Sequence, residues 1–218
     1  MRNPAQVAAI VCAYNEDRHI RTVLDTLVLC DFISEIVVVD DGSREPLTRL
    51  QYVYPSIHFI RHAENRGKAY AMETGVSSTR APYIFFCDAD LVGFLPEHAR
   101  AIIEPVIAGD FESFVGIRHN REQRAVFLFA LNSGERCLKR SLWEALPPFY
   151  KKGFRIETGL NFQVKKMGGR IGWRLFPYRN TLREQKYGFW EGFRGRLVLS
   201  FDVFVAWMFI IGFDLWRR

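Results

Sequence analysis

Tyr83-Ile84-Phe85-Phe86-Cys87-Asp88-Ala89-Asp90 is the stretch on which the fold turns. Its first five residues form an unbroken apolar run, the signature of a strand buried on both faces in a helix-covered sheet. Asp88 and Asp90 then emerge at the carboxyl end of that strand, where an open α/β sheet meets its ligand crevice. Residues two apart share a face on a true strand, whereas at a strand end two carboxylates can wrap around one ion. The plainer alternative is a solvated turn whose acids cap a helix.

Outward from this run the same grammar repeats. Val7 to Cys12 is apolar and reads as the first strand, followed by the loop Ala13-Tyr14-Asn15-Glu16. A helix is expected from about Asp17 to Leu29, with Ile20, Val23, Leu24 and Leu27 as its stripe. Further strands are expected at Ile36 to Val39, Ile57 to Ile60 and Phe114 to Ile117. Helical segments are expected near Pro46 to Tyr52, at Gly67 to Ser77 and at Pro96 to Ala108. Alternation of this kind predicts an α/β fold with a mostly parallel central sheet flanked by helices, its strand-end loops gathered on one side.

Beyond Arg118 the pattern changes. Arg121 to Leu131 reads as helix, Ser133 to Lys139 as a turn and strand, and Trp143 to Leu146 as a short helix ended by Pro147-Pro148. Glu157 to Met167 reads as a longer helix stopped by Gly168-Gly169, and Ile171 to Phe176 as a strand. Arg179 to Arg196 is polar and basic with scattered aromatics. Leu197 to Trp216 is strongly apolar, but its uninterrupted core, Val203 to Phe213, is shorter than the roughly 20 residues of a membrane span. Its length suits an interfacial helix, a short membrane hairpin partner, an oligomer contact or a buried helix.

Composition narrows the classes. The 218 residues are 49% hydrophobic and 25% charged, enough for one substantial core, and the formal net charge is +6. That charge is split: residues 1–110 carry 10 Lys/Arg against 15 Asp/Glu, and residues 111–218 carry 20 against 9. The basic half can face a phosphate, an anionic headgroup or a membrane surface. Nucleic acid is not the expected partner, because no basic stripe alternates with aromatics. Cys12, Cys30, Cys87 and Cys137 are widely spaced and read as core thiols of a reducing compartment. No basic segment leads into a long apolar one before the first strand, so no secretory signal is read.

A second acidic signal, Asp40-Asp41-Gly42-Ser43, comes directly after the apolar Ile36 to Val39. Gly42 permits a sharp turn and Ser43 can cap the next helix. One aspartate can accept from a base N–H or a ribose hydroxyl while the other supports a metal site; the alternative is a loop whose acids only cap backbone N–H groups. Four acids at two strand ends need a counter-charge, which a divalent cation carrying a phosphorylated substrate supplies. Mg2+ or Mn2+ suits such oxygen ligands and leaves positions open for diphosphate oxygens. Glu64-Asn65-Arg66-Gly67-Lys68 opens a helix, where Arg66 or Lys68 can offset a diphosphate. The motif after the first strand is not Gly-x-Gly-x-x-Gly and there is no Walker loop, which sets dinucleotide and ATP binding aside.

Ala13-Tyr14-Asn15-Glu16, Asp40-Asp41-Gly42-Ser43, Asn65-Arg66-Gly67-Lys68 and Asp88-Ala89-Asp90-Leu91, in that order, resemble the inverting family 2 glycosyltransferases with the GT-A fold. Within them the chain is most similar to the dolichol- or polyprenyl-phosphate mannosyl- and glucosyltransferase branch. Ser133-Gly134-Glu135-Arg136 resembles that branch's Ser-Gly-Phe-Arg segment, and Gly153-Phe154-Arg155-Ile156-Glu157 its Gly-Phe-x-x-Glu helix start. The resemblance implies a GT-A domain over residues 1–188, with 189–218 a basic and apolar segment for a membrane surface or homo-oligomer contact.

By that resemblance Tyr14 and Glu16 contact the nucleotide, with Ala13 standing where a proline is usual. Asp41 serves base or ribose, and Asp40, Lys68, Ala89, Arg183 and Lys186 complete the nucleotide-sugar site. Asp88 and Asp90 hold Mg2+ or Mn2+ and the diphosphate. The implied reaction passes a sugar from a UDP- or GDP-linked donor to a polyprenyl or other lipid phosphate, with Arg118 and Arg136 orienting the acceptor, at the cytoplasmic face of a membrane. A hydroxyl acceptor on a glycan, glycolipid or small molecule would need a positioned base. Glu157 is the candidate, and Asp90 a poorer one. Only Arg118 to Asn132 separates the fifth strand from Ser133, shorter than in the polyprenyl-phosphate enzymes. A nucleotidylyltransferase would show a Gly-rich basic loop near the first strand, which Ala13 to Asp17 is not. A non-catalytic nucleotide-sugar or lipid-binding protein would have no need of Asp88 and Asp90.

Overall fold

A computed structural model describes residues 6–17, 19–118, 133–153, 155–180, 201–210 and 212. In chain order the elements are β1 (Val7–Ala13), α1 (Ile20–Val28), β2 (Glu35–Asp40), a 3-10 turn (Leu47–Tyr52), β3 (His58–Arg61), α2 (Lys68–Ser77), β4 (Tyr83–Asp88) and β5 (Leu91–Val92). There follow α3 (Pro96–Ile107), β6 (Ser113–Arg118), β7 (Arg136–Lys139), α4 (Arg140–Glu144), α5 (Ile156–Lys166), β8 (Ile171–Phe176) and β9 (Arg179–Asn180). Residues 201–209 form α6.

Seven strands make one sheet in the order β3-β2-β1-β4-β7-β6-β8, and β5 pairs with β9 in a small second sheet. The expected parallel pairing holds for β3-β2-β1-β4 and for β6-β8, while β7 runs antiparallel to both its neighbours. Reversal at β7 is what brings Ser133 to Arg136, at the start of that strand, to the carboxyl end of β4.

Alternation along β1 divides the core into two layers. Val7, Ala9 and Val11 pack with α1 and α3, through Ile20, Leu24, Ile102 and Val106. Ala8 and Ile10 pack on the opposite face with Met72 of α2, Trp143 of α4 and Leu160 of α5. Both faces of the central strands are therefore covered, which is why β1 and β4 read as continuous apolar runs. The four cysteines are free, three of them buried.

Two of the expected helices differ from the sequence reading by more than one residue. α1 starts at Ile20 rather than Asp17, the N–H groups of His19 and Ile20 donating to the Glu16 carbonyl just before the helix. The short helix after β7 spans Arg140 to Glu144 rather than Trp143 to Leu146. Its first residue anchors it: the Arg140 guanidinium donates to the carbonyls of Ala81, Val76 and Thr79, closing the end of α2. The helix expected at Arg121 to Leu131 lies outside the described residues.

α6 buries Val203, Ala206 and Ile210 and leaves Phe201, Phe204, Trp207 and Met208 exposed. Its single charge, Asp202, pairs inward with Arg155 at 3.2 Å, and Phe209 stacks on Phe149. Among the described residues no helix is long and apolar enough to cross a membrane.

Candidate active site

Parallel register lines up the chemistry at one end of the sheet. Arg61 lies opposite Asp40, Asp40 opposite Ala13, and Cys12 opposite Asp88. Arg118 ends β6 at the same side, because two antiparallel steps through β7 restore the direction of β4. Tyr14, 40% exposed just past β1, is open to a ligand at this edge. Asn15 beside it has a positive φ of 56 and docks the loop on its neighbour, its N–H donating to Ser43 Oγ and its Oδ1 accepting from the Arg44 N–H. Glu16 is partly buried, 3.4 Å from His19 Nδ1.

Asp40 and Asp41 divide their work. Asp40, expected along the nucleotide-sugar site, is instead turned inward: its side chain is 1% exposed and accepts from the N–H groups of Ser43 and Leu47 and from Arg61. Burial of a carboxylate demands such donors, and here they shape the turn. Asp41 faces the next segment, accepting from the N–H groups of Arg66 and Gly67 at 3.0 and 2.8 Å and lying 2.7 Å from His62 Nδ1. The other His62 nitrogen meets Thr74 Oγ1 at 3.0 Å. Gly42 lets the two loops touch: with φ +73, a Cβ there would fall 2.4 Å from the Glu64 carbonyl carbon.

Asp88 is the electrostatic centre. Lys68 Nζ donates to its Oδ1 at 2.8 Å and Arg118 Nη1 to its Oδ2 at 3.2 Å. Burial alone would raise the Asp88 pKa, but Lys68 and then Arg118 outweigh it and hold the carboxyl well below its usual range. Burial likewise works against the Lys68 ammonium, yet Asp88 and Glu157 together push its pKa up. Glu157, in the first turn of α5 with its side chain 9% exposed, lies 3.7 Å from the same Nζ. Lys68 thus bridges the expected metal ligand and the expected base. Asp90 lies half-buried in the turn after β4, with Ala89 buried between the two acids.

Arg136 is placed otherwise than a group waiting for an acceptor. It is 1% exposed and donates to the Ser133 carbonyl and to Asn161 Oδ1. Burial lowers its pKa to about 10, with Glu157 and Glu135 opposing, so it stays charged at neutral pH. Arg183 and Lys186 lie outside the described residues.

Two residues that sequence reasoning passed over belong to this end of the sheet. His62 stood out by no motif, and only the pairing of β3 beside β2 puts it on Asp41. Glu135 was legible as part of Ser133-Gly134-Glu135-Arg136, but nothing local distinguishes a buried acid from an exposed one. It is 0% exposed, and burial, opposed by Arg118 and aided by Asp88, raises its pKa to about 7.

The donor set suits a hard divalent cation. Asp88 and Asp90 offer oxygen ligands at a strand end, and no group of three or more His, Cys, Asp or Glu among the described residues could hold a metal by itself. Two protein carboxylates plus ligand oxygens is the usual arrangement for Mg2+ with phosphates.

The family model for glycosyl transferase family 2 matches residues 8–172, most of the chain and every motif above. The chain belongs to glycosyl transferase family 2. Among curated relatives, the dolichyl-phosphate beta-glucosyltransferase of Mus musculus is 30% identical over 100 residues, 39% of this chain and 31% of that protein. The poly-beta-1,6-N-acetyl-D-glucosamine synthase of Staphylococcus epidermidis is 27% identical over 90 residues, 39% of this chain and 22% of that protein. The matches therefore span about a third or less of these relatives. The family 2 chain also superposes on glucosyl-3-phosphoglycerate synthase from Mycobacterium tuberculosis, solved with Mn2+, UDP-glucose and phosphoglyceric acid. There the TM-score is 0.73 at 19% identity, covering 91% of this chain and 80% of that one. The fold is GT-A, with its mixed central sheet flanked by helices.

Proposed function

We propose that this family 2 chain moves a hexose, with inversion, from a UDP- or GDP-linked donor to a hydroxyl of a glycan, glycolipid or small molecule. The observation that carries this reading is Glu157, a carboxylate within the site, 3.7 Å from the lysine that holds Asp88. A hydroxyl acceptor needs such a base, whereas a phosphate acceptor is already anionic. The burial of Arg136 points the same way, since it removes one of the two arginines that would have oriented a lipid phosphate.

In this reading Tyr14 contacts the base and ribose beside the loops that Asp41 joins, while Asp88 and Asp90 hold Mg2+ or Mn2+ with the diphosphate. The ion, when bound, neutralises charge on the leaving nucleoside diphosphate. Glu157 takes the acceptor hydroxyl proton as that oxygen bonds to C1. The bond from C1 to the diphosphate oxygen breaks on the opposite side, its electron pair leaving with the phosphate. Lys68, with Arg183 or Lys186, stabilises that oxygen, and Asp40, His62 and Gly42 fix the loops from which these groups act.

A second reading, transfer to a polyprenyl or other lipid phosphate at the cytoplasmic face of a membrane, draws on the dolichyl-phosphate relatives and on α6. A helix that turns its one acid inward and Phe201, Phe204, Trp207 and Met208 outward suits a lipid surface or a second copy of the chain.

The deciding experiment incubates the protein and Mn2+ with radiolabelled UDP-, GDP- and dTDP-sugars, separately with polyprenyl phosphate, 3-phosphoglycerate and simple glycans. Label in a water-soluble product supports the hydroxyl reading. Label extracted into organic solvent only with polyprenyl phosphate replaces it by the second, and donor binding without transfer would mean a binding protein.

A further inference from the structure

Beneath Asp88 lies a carboxylate that the proposed transfer does not use. Glu135 is fully buried, and its Oε2 accepts a 2.7 Å hydrogen bond from Ser133 Oγ. The same oxygen lies 3.3 Å from Arg118 Nε, but off line: among the described residues that N–H donates to no acceptor and Glu135 Oε1 accepts no hydrogen bond, and the Glu135 carboxyl, when protonated, can donate to its neighbour Asp88. From its other end Arg118 reaches Asp88 Oδ2 at 3.2 Å. Charge-assisted bonds of this type normally close to about 2.7–2.9 Å, as Lys68 does on Asp88 Oδ1. The guanidinium is divided between two carboxylates and closes fully on neither.

Chain geometry makes this division hard to escape. Arg118 comes from β6 and Glu135 from the residue before β7, next to it in the sheet. Gly134 holds its backbone against Asp88 so closely that a Cβ would lie 2.6 Å from Oδ1. A buried carboxylate with an unsatisfied oxygen is costly, and an apolar side chain would serve packing alone better. The arrangement gains a purpose if it controls how firmly Asp88 is already paired when its ligand arrives.

We propose that Glu135 is a positioning residue for the metal and diphosphate site. By drawing on Arg118 from below it keeps Asp88 Oδ2 loosely held, so an incoming cation takes that oxygen without breaking a tight bidentate arginine pair. Removing the negative charge of Glu135 lets Arg118 close on Asp88 and compete with the cation. The inference rests on the reading of Asp88 as a metal ligand, and the test separates the two.

Mn2+ binding to the full chain is measured at pH 8 from the electron paramagnetic resonance signal of free Mn2+, with and without UDP, thermal melting confirming that each variant is folded. Glu135→Gln is expected to weaken Mn2+ binding about 10–100-fold, the range for residues that support metal ligands. The same substitution in an Arg118→Met background, or in Arg118→Gln should Met not fold, is expected to change binding less than twofold. Wild-type affinity in Glu135→Gln overturns the inference. So does a loss that persists without Arg118, because Glu135 would then act on the cation directly. Wild-type protein that takes up no Mn2+ even with UDP present overturns the metal-site reading itself, and the inference with it.

Discussion

Lys68 and Asp88 form a close ion pair at the expected metal site, 2.8 Å from Nζ to Oδ1. The lysine opens α2 and the aspartate closes β4, so the pair ties the Glu64 to Lys68 loop to the middle of the fold. Lys68 and Arg118 together supply counter-charge to a strand-end acid that would otherwise be half-buried and unpaired.

Replacing that aspartate tests its role. Asp88→Asn is expected to lower sugar transfer by about 10²–10³-fold, as for loss of one charge-stabilising group in a site. Chelation of divalent ions with EDTA should abolish transfer in the wild type and be reversed by added Mn2+. Unchanged metal-dependent transfer in Asp88→Asn would sink the mechanism.

Glu157 decides the acceptor class. Glu157→Gln keeps the shape of the side chain but removes its basicity, and transfer to a hydroxyl acceptor should fall about 10²–10⁴-fold. Donor affinity, followed by titration calorimetry with the UDP-sugar, should change little. Transfer that survives Glu157→Gln within a few-fold would favour a phosphate acceptor.

Glu135 gives stability a defined pH dependence. Its folded pKa of about 7 stands above the ordinary value of 4.5, so within that window the folded state keeps a proton that the unfolded chain has released. Its contribution to stability therefore falls as pH rises from 4.5 to 7. Glu135→Gln removes this dependence, and its melting temperature relative to wild type should rise from about pH 5 to about pH 8. A constant difference across that range would show that burial does not hold the proton.

Gly42 tests the joint between loops. An alanine there meets both a left-handed φ of +73 and the Glu64 backbone at 2.4 Å. Gly42→Ala should cost about 1–3 kcal/mol of folding stability by chemical denaturation. It should also raise the KM for the donor more than it lowers kcat, because the loops carrying Asp41 and Lys68 would separate.

The elements with strong local signals were legible. Ile171 to Phe176 has the same bounds in sequence and structure, and the runs at Val7, Ile36 and Tyr83 differ from their strands by a residue or two. Asp88 and Lys68 stand out because a strand end and a helix start announce themselves in local composition, whereas Glu157 is singled out only by the resemblance of Gly153-Phe154-Arg155-Ile156-Glu157 to a family segment. Asp40 looked like Asp41. Their opposite uses, one shaping a turn and one joining two loops, arise from which way each side chain points once Gly42 has reversed the chain.

The sequence by itself determined the strands of the main sheet, the helix faces and the acidic strand ends, because periodicity and turn chemistry act over a few residues. Only the tertiary structure decided that β7 runs backwards, that His62 holds Asp41, that Arg136 is sealed within the domain and that Glu135 shares Arg118 with Asp88. All four depend on which strands lie side by side. That choice is made by burying two apolar layers at once, and no local pattern encodes it.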